Sequence, residues 1–501
     1  MPDDLRPAVA DGRTRWFSLV LVFAVVLLGL VGCAESTDAA RPGVLTVGVR
    51  EPAGLLPADL RDQAGRMLVG ALWTPLVDYD AATGTVTPRA ADSISSADQV
   101  SWEVKLRTTR FHDGTPVTAK SYVDTWRTVA DQRWAGSGVL TEVLRAVEIS
   151  APDERTLRIV LDRPFGQVPA VLASPALLPL PASVLASRDW AGFAASPIGN
   201  GPFRMAGPWR PGSGGRLVRV DDAAGKAREI ELEVGDSAAQ YDRVKSGSLD
   251  LATEVPGGRH DAMHHEFAER HAMWPLPEVG YLAFPLSDTR FEDSTVRHAF
   301  AMAVDRAALA AGPLADQVDP ARAILPPGIA PGERSGPCRP CTHDAAAAKS
   351  LLGQVSFAGP VSVYFGAGQE EWGRSLVDQV RTALGVEVTA RQRGDEANEP
   401  GDGPFLLTRS LNTPSPHELL AALAQSVGYI DEGFAQQLAA ADSAGLSAES
   451  AQLYRIAENQ LLRELPVAPL WSGHGHAVWA ARVHDVTAKP LQGIDLASIS
   501  V

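Results

Sequence analysis

Catalytic signatures are what this sequence lacks first. It contains no G-x-S-x-G, no G-x-x-x-x-G-K, no H-E-x-x-H and no S-x-x-K. Those absences remove the nucleophile elbow, the phosphate-cradling loop, the helical zinc site and the serine–lysine acyl-transfer centre. Positive charge is also short: 45 Lys and Arg stand against 60 Asp and Glu, a formal net charge of −15. A surface of that sign argues against nucleic acid or anionic lipid as the main partner. Cysteine is scarce, three in 501 residues, and only one C-x-x-C occurs, Cys338-Arg339-Pro340-Cys341. There is no second pair to complete a four-thiolate zinc site. The apolar run Trp16–Leu30 falls short of the roughly 20 residues of a membrane-spanning helix. Internal repeats and long low-complexity tracts are missing too.

That short apolar run reads as an export signal. Arg13 and Arg15 precede it, and it ends in Leu30-Val31-Gly32-Cys33, which resembles a bacterial lipobox. Residues 1–32 are then a lipoprotein signal peptide. Cleavage before Cys33 and lipid attachment there would hold the body outside the membrane, stably if more than one acyl chain is added. A plain signal peptide or a signal anchor is the other reading. Residues 33–42 form a polar tether. With Cys33 given to lipid, Cys338 and Cys341 are an even pair in an oxidising compartment. Pro337 and Pro340 interrupt any strand–CxxC–helix context, so a short-loop disulfide is favoured over a redox or metal role. Past the tether the chain is too long for one core and enough for two lobes or three subdomains. The preference for Arg over Lys fits a GC-rich, actinobacterial genome and says nothing of function.

What is present is a set of ordered motifs. Phe111-His112-Asp113-Gly114-Thr115-Pro116-Val117-Thr118-Ala119-Lys120 follows an alternating, strand-like stretch (Trp102, Val104, Leu106) and opens a helical pattern (Tyr122, Val123, Trp126, Val129). Asp113-Gly114 marks a turn, and Thr118 is placed to cap the helix. This run resembles the FHDGxPxTAxD signature of family 5 of the extracytoplasmic solute-binding proteins, which includes the oligopeptide- and dipeptide-binding proteins of ABC importers. Ser121 departs from it, standing where the family usually has Asp. Leu72–Asp80, Pro197–Phe203, Lys245–Ala252, Phe291–Arg306, Leu453–Leu462 and Pro466–Trp471 resemble further family segments, in family order. Within one of them Val296, Ala299, Phe300, Ala303 and Val304 share one helical face, with Asp293 or Ser294 as cap.

The resemblance implies an α/β, two-lobed periplasmic-binding-protein-like fold of the large peptide-binding type, in three subdomains. Residues 43–72, 190–265 and 478–501 would build the core of lobe I, 73–189 an accessory subdomain, and 266–477 lobe II, with a hinge near 265 and 477. It implies a non-enzyme without cofactor or metal. Such a protein captures peptides or peptide-like solutes by cleft closure and delivers them to an ABC permease with cytoplasmic ATPases. Its chain would act as a monomer, on the outer face of the cell membrane. A second reading keeps the fold for a non-transport regulatory or scaffold lipoprotein of the cell envelope.

Candidate ligand residues come from one segment and two histidines. Leu406–Pro416 resembles the family's second-lobe WxADYPDP segment, aligned on Pro414 and Pro416. In peptide-binding members the Asp there anchors the ligand's α-ammonium; here Asn412 takes its place, and Arg409 replaces the Trp. An amide loses the charge-assisted bond to an ammonium, whereas Arg favours a carboxylate or a phosphate; the other reading has Arg409 facing solvent and a different acid as the anchor. Asn412→Asp is therefore expected to favour free-amine peptides. His474 and His476 follow the last buried strand and are candidate pocket residues. His260 and His264, at helical spacing, and His265 and His271 read as exposed histidines rather than metal ligands. Of the tryptophans, Trp73, Trp102, Trp126, Trp209, Trp274, Trp372 and Trp471 read mainly as core.

Overall fold

The computed structural model describes residues 41–80, 83–329, 338–393, 403–489 and 491–501. Cys33, the signal peptide and most of the tether lie outside them. Among the described residues no helix is long and apolar enough to cross a membrane.

The spine is one sheet of eleven strands. In chain order these are Val44–Val49 (β1), Phe203–Met205 (β2), Gly214–Arg219 (β3), Glu229–Val234 (β4), Leu251–Ala252 (β5), His271–Ala283 (β6), Val318–Pro320 (β7), Val361–Phe365 (β8), Val388–Gln392 (β9), Phe405–Ser410 (β10) and Val467–Trp479 (β11). Their order in space is β2-β3-β4-β1-β5-β11-β6-β10-β8-β9, with β7 paired to β11. Hydrophobic alternation sets the faces: Leu45, Val47 and Val49 of β1 are buried on one core with Leu68, Phe203 and Leu232. Beyond β6, the sheet is covered on both faces. Phe300, Val363 and Leu376 pack on one side, and Tyr281, Leu407, Leu420 and Tyr454 on the other.

The two lobes share β6 and β11, each thirteen residues long. Trp274 and Trp479 of this antiparallel pair pack in the first core, and Leu282 and Trp471 in the second. Between the cores the register breaks twice, from Pro275 to Val279 and from Gly280 to Tyr281. A tryptophan faces a glycine of the partner strand on each side, Trp274 opposite Gly475 and Trp471 opposite Gly280. A Cβ on Gly280 would lie 2.2 Å from the Trp471 ring, so no larger residue fits without displacing it.

The accessory subdomain is a four-stranded antiparallel sheet in the order Ala91–Ser95, Ser101–Leu106, Thr156–Leu161, Ala146–Asp153. Helix Ala119–Gln132 packs on it through Tyr122, Trp126 and Val129. Thr118 and Ser121 form a capping box at its start, Thr118 N donating to Ser121 Oγ at 3.2 Å. The departure at Ser121 therefore keeps a cap of the kind an Asp would also supply. The preceding loop turns at Gly114, φ +85°, and Asp113 Oδ1 accepts from Thr115 Oγ1 at 2.6 Å. His112 docks the loop, its backbone N donating to Gly199 O at 2.8 Å and its Nε2 lying 3.1 Å from Gly201 O. The signature thus holds two chain segments together.

Other motif residues are structural as well. Asp250 Oδ2 accepts from Thr46 N at 2.7 Å, and Asp250 Oδ1 from Arg482 Nε at 2.7 Å. That carboxylate ties β1 to the C-terminal segment. The buried Arg297 guanidinium donates to Phe291 O at 2.6 Å and Glu464 O at 2.9 Å. Arg306 Nε donates to Pro469 O of β11 at 2.7 Å. Cys338 and Cys341 are disulfide-bonded across the turn Arg339–Cys341, with Cα atoms 5.2 Å apart.

Candidate ligand cleft

β10 is buried at Phe405–Leu407 and emerges at Arg409 and Ser410. Its continuation, Leu411–Pro414, leads into helix Pro416–Ser426, whose Leu419, Leu420 and Leu423 fix it to the second lobe. The segment 133–147 of the accessory subdomain faces it. Between them lies a cavity of about 1080 Å³, lined by Trp134, Glu142 and Arg163 on one side and Arg409, Asn412 and Glu418 on the other. That volume accommodates a small peptide or a solute of similar bulk.

Arg409 is half-buried, and its Nε has no hydrogen-bond partner among the described residues. Burial holds its pKa below the usual guanidinium value, opposed chiefly by the charge of Glu142 across the cavity. Asn412 is already engaged. Its Oδ1 accepts from Arg66 Nη2 at 3.2 Å, and its backbone N donates to Glu418 Oε1 at 2.9 Å. Glu418 Oε2 accepts from Thr413 N at 2.8 Å and Thr413 Oγ1 at 2.7 Å. Burial nevertheless raises the Glu418 carboxyl above its ordinary value, with these bonds pulling the other way. Arg66 comes from helix Gln63–Leu72 of the first lobe, which Asp62 caps through Gly65 N at 2.7 Å. It is 7 % exposed, and Nη1 has no partner among the described residues. Burial lowers its pKa, while Glu418, Glu278 and Asp62 raise it.

The rim is also bonded. Gly166 N donates to Asp442 O at 2.8 Å, and Gln167 Nε2 donates to Ser450 Oγ at 3.0 Å and to Gly445 O. Asp442 is buried beneath, accepting from Tyr454 OH at 2.7 Å, with His417 Nδ1 at 3.1 Å.

Arg409 and Asn412 thus meet at one cavity wall. His474 and His476 do not line it; they lie on β11 beside His260. The seven tryptophans read as core are all buried; a different one, Trp134, lines the cavity, edge-to-face with Trp190 at 5.0 Å. Arg66 and Glu418 went unread. Each leaves a mark in the sequence, as the single Asp, Glu, Lys or Arg of a mostly apolar helix.

Two α/β lobes sharing a strand pair, with a solute-sized cavity between them, define an extracytoplasmic-type binding protein. Residues 85–415 match the model of the bacterial extracellular solute-binding proteins, family 5 (middle region), and the chain belongs to that family. It is 27% identical over 244 residues to the "Probable D,D-dipeptide-binding periplasmic protein DdpA" of Escherichia coli, which covers 47% of this chain and 46% of that protein. The chain therefore matches under half the length of that relative. The glutathione-binding protein GsiB of Shigella dysenteriae is 23% identical over 495 residues, covering 89% of this chain and 92% of GsiB. The ABC transporter-associated periplasmic binding protein DppA of Helicobacter pylori, solved with peptide STSA, superposes with a TM-score of 0.74 at 16% identity. That superposition covers 92% of this chain and 98% of DppA.

Proposed function

We propose that this chain is the extracytoplasmic capture component of an ABC importer, taking peptides or peptide-like solutes that present a carboxylate. The observation that carries the reading is Arg409, a desolvated guanidinium on the wall of the cavity whose Nε has no hydrogen-bond partner among the described residues. A bidentate carboxylate would satisfy it and offset its desolvation. Free-amine anchoring is disfavoured because the Asn412 oxygen is taken by Arg66 and the Glu418 oxygens by backbone N–H groups.

Ligand would act by favouring the closed arrangement of lobes that move about β6 and β11, in proportion to its differential affinity for it. The proposed subdomains are 43–72 with 190–265 and 478–501, 73–189, and 266–477. Anchoring through lipid at Cys33, a monomeric state and delivery to a permease with cytoplasmic ATPases complete the proposal. A second reading, a non-transport regulatory lipoprotein, is favoured by the internal Arg66–Asn412 bond, which fills the ammonium-anchor position without a ligand.

Native mass spectrometry of the mature chain from its own type of host, with the released solute identified, tests this. A ladder of peptides or one carboxylate-bearing solute supports capture. A cleft that stays empty across growth conditions supports the regulatory reading.

A further inference from the structure

Three imidazoles meet away from the cleft. His260 opens helix His260–Phe267, which Met263 and Phe267 fix against Val478 of β11. His474 and His476 are two apart on β11 and so project from the same face. One nitrogen from each lies within 4.8 Å of the other two. The ring centroids of His260 and His476 are 4.0 Å apart, and those of His474 and His476 4.3 Å.

The hydrogen bonding of this cluster is incomplete. His476 is 2 % exposed, and its Nε2 has no partner among the described residues. His474 Nδ1 lies 3.0 Å from Asp319 Oδ2 and Nε2 lies 3.1 Å from Asp316 O. Both neighbours are acceptors, yet a neutral imidazole has one N–H to give. Donating to both takes an imidazolium, whereas binding a metal takes the neutral tautomer with its proton on Nδ1, held by Asp319, and with Nε2 turned from Asp316 O to the ion. A carboxylate behind an imidazole in this way is the usual support for a metal-binding histidine. Among the described residues His260 Nε2 has Gln317 Nε2 as its hydrogen-bond contact, at a marginal 3.5 Å.

We infer that His260, His474 and His476 form a binding site for a borderline divalent transition metal, zinc above all, with Asp319 orienting His474. Neutral imidazoles suit such an ion and leave a fourth position for water or an external ligand. Tetrahedral Zn–N bonds of about 2.05 Å place ligand nitrogens about 3.3 Å apart, so side-chain shifts of about an ångström complete the site. The metal would tie helix His260–Phe267 and β11 to the Asp316–Pro320 segment. This inference does not depend on what the cleft binds.

The test is calorimetric titration of the tag-free, chelator-treated full chain with ZnCl2, with Co2+ as a visible-absorption probe. Saturable binding of one ion per chain, with the absorption of a four-coordinate cobalt–nitrogen site, is expected. His260→Ala, at a half-exposed helix start, should abolish it while circular dichroism stays native. Asp319→Asn, at an exposed side chain, should weaken it about 10- to 100-fold. Absence of saturable binding by the wild type overturns the site. So does affinity unchanged in a natively folded His260→Ala chain, which would assign the ion to other histidines.

Discussion

Arg66 of the first lobe donates through Nη2 to Asn412 Oδ1 of the second at 3.2 Å. The bond joins the lobes at the position where a peptide ammonium would be expected, and it brings a cation beside Glu418. Arg66 and Arg409 differ in consequence. Arg66 bonds across the cleft, whereas the Arg409 Nε is desolvated and has no hydrogen-bond partner among the described residues.

Arg409→Ala should therefore separate affinity from stability. Hydrogen bonds to charged groups are worth about 1.5–3 kcal/mol, so affinity for a carboxylate-bearing solute should fall roughly 10- to 100-fold. Folding stability should hold or rise slightly, because an unpartnered desolvated donor is removed. Calorimetry with the released solute and thermal unfolding check the two halves. A lower melting temperature with unchanged affinity would make Arg409 a structural residue.

Asn412→Asp alone should not create a free-amine site, contrary to what the aligned segment suggests. The new carboxylate would face Arg66 and lie near Glu418, since the Asn412 amide nitrogen is 3.5 Å from Glu418 Oε1. Two carboxylates that close raise at least one pKa in the folded state. A raised folded pKa contributes stability at low pH and loses it as pH rises. The variant's melting temperature should thus approach that of the wild type as pH falls from 8 to 5. Free-amine peptides should gain, by roughly tenfold, only in the double variant Arg66→Met with Asn412→Asp, where the carboxylate is released. A gain in the single variant, read by calorimetry with a short peptide panel, would refute the assignment of Arg66.

The fold was legible because its motifs are structural devices whose partners are specified locally. Thr118 caps the helix that starts at the next residue through Ser121, Asp113 closes its own turn, and Val296, Ala299 and Phe300 share a helical face, whereas Ala303 and Val304 fall past the end of helix Ser294–Met302 yet join the same core. Arg409 and Asn412 were legible through the spacing of two prolines. Arg66 was not: its partner is 346 positions away, and no periodicity reports a pairing across lobes. The His260–His474–His476 cluster was hidden for the same reason. The polar helix made His260 and His264 read as exposed, but His260 is half-buried against His476, with centroids 4.0 Å apart, and His264 packs against the half-buried His271 at 4.6 Å.

Replacing Cys338 and Cys341 by Ser should cost little. Loop-closure entropy for a bridge spanning three residues predicts about 2 kcal/mol, less than the about 3 expected of a 15-residue loop. Cys338 and Cys341 pack with the second-lobe core and do not line the cavity. Denaturant unfolding should show that small loss, and calorimetry an unchanged solute affinity. A change in affinity would give the bridge a role in the cleft.

His112 should impose a pH dependence on stability. Its Nε2 lies on Gly201 O, and its Nδ1 is buried without a partner among the described residues. Burial is the main cause that lowers its pKa. Arg204 adds to the shift, and the Gly201 bond and Asp113 oppose it. The folded chain thus keeps the ring neutral where an unfolded chain, titrating near 6.5, takes up a proton. Stability is then full above about pH 6.5 and falls as pH drops toward the folded pKa, by at most about 1.4 kcal/mol per pH unit for one proton. His112→Asn keeps an N–H for Gly201 O and cannot titrate, so its stability–pH slope between 6.5 and 5 should be shallower by up to one proton. Chemical denaturation at a series of pH values measures that slope directly. Equal slopes in the two proteins would mean that His112 is protonated alike in the folded and unfolded chains, and that the docked loop is not the source of the acid sensitivity.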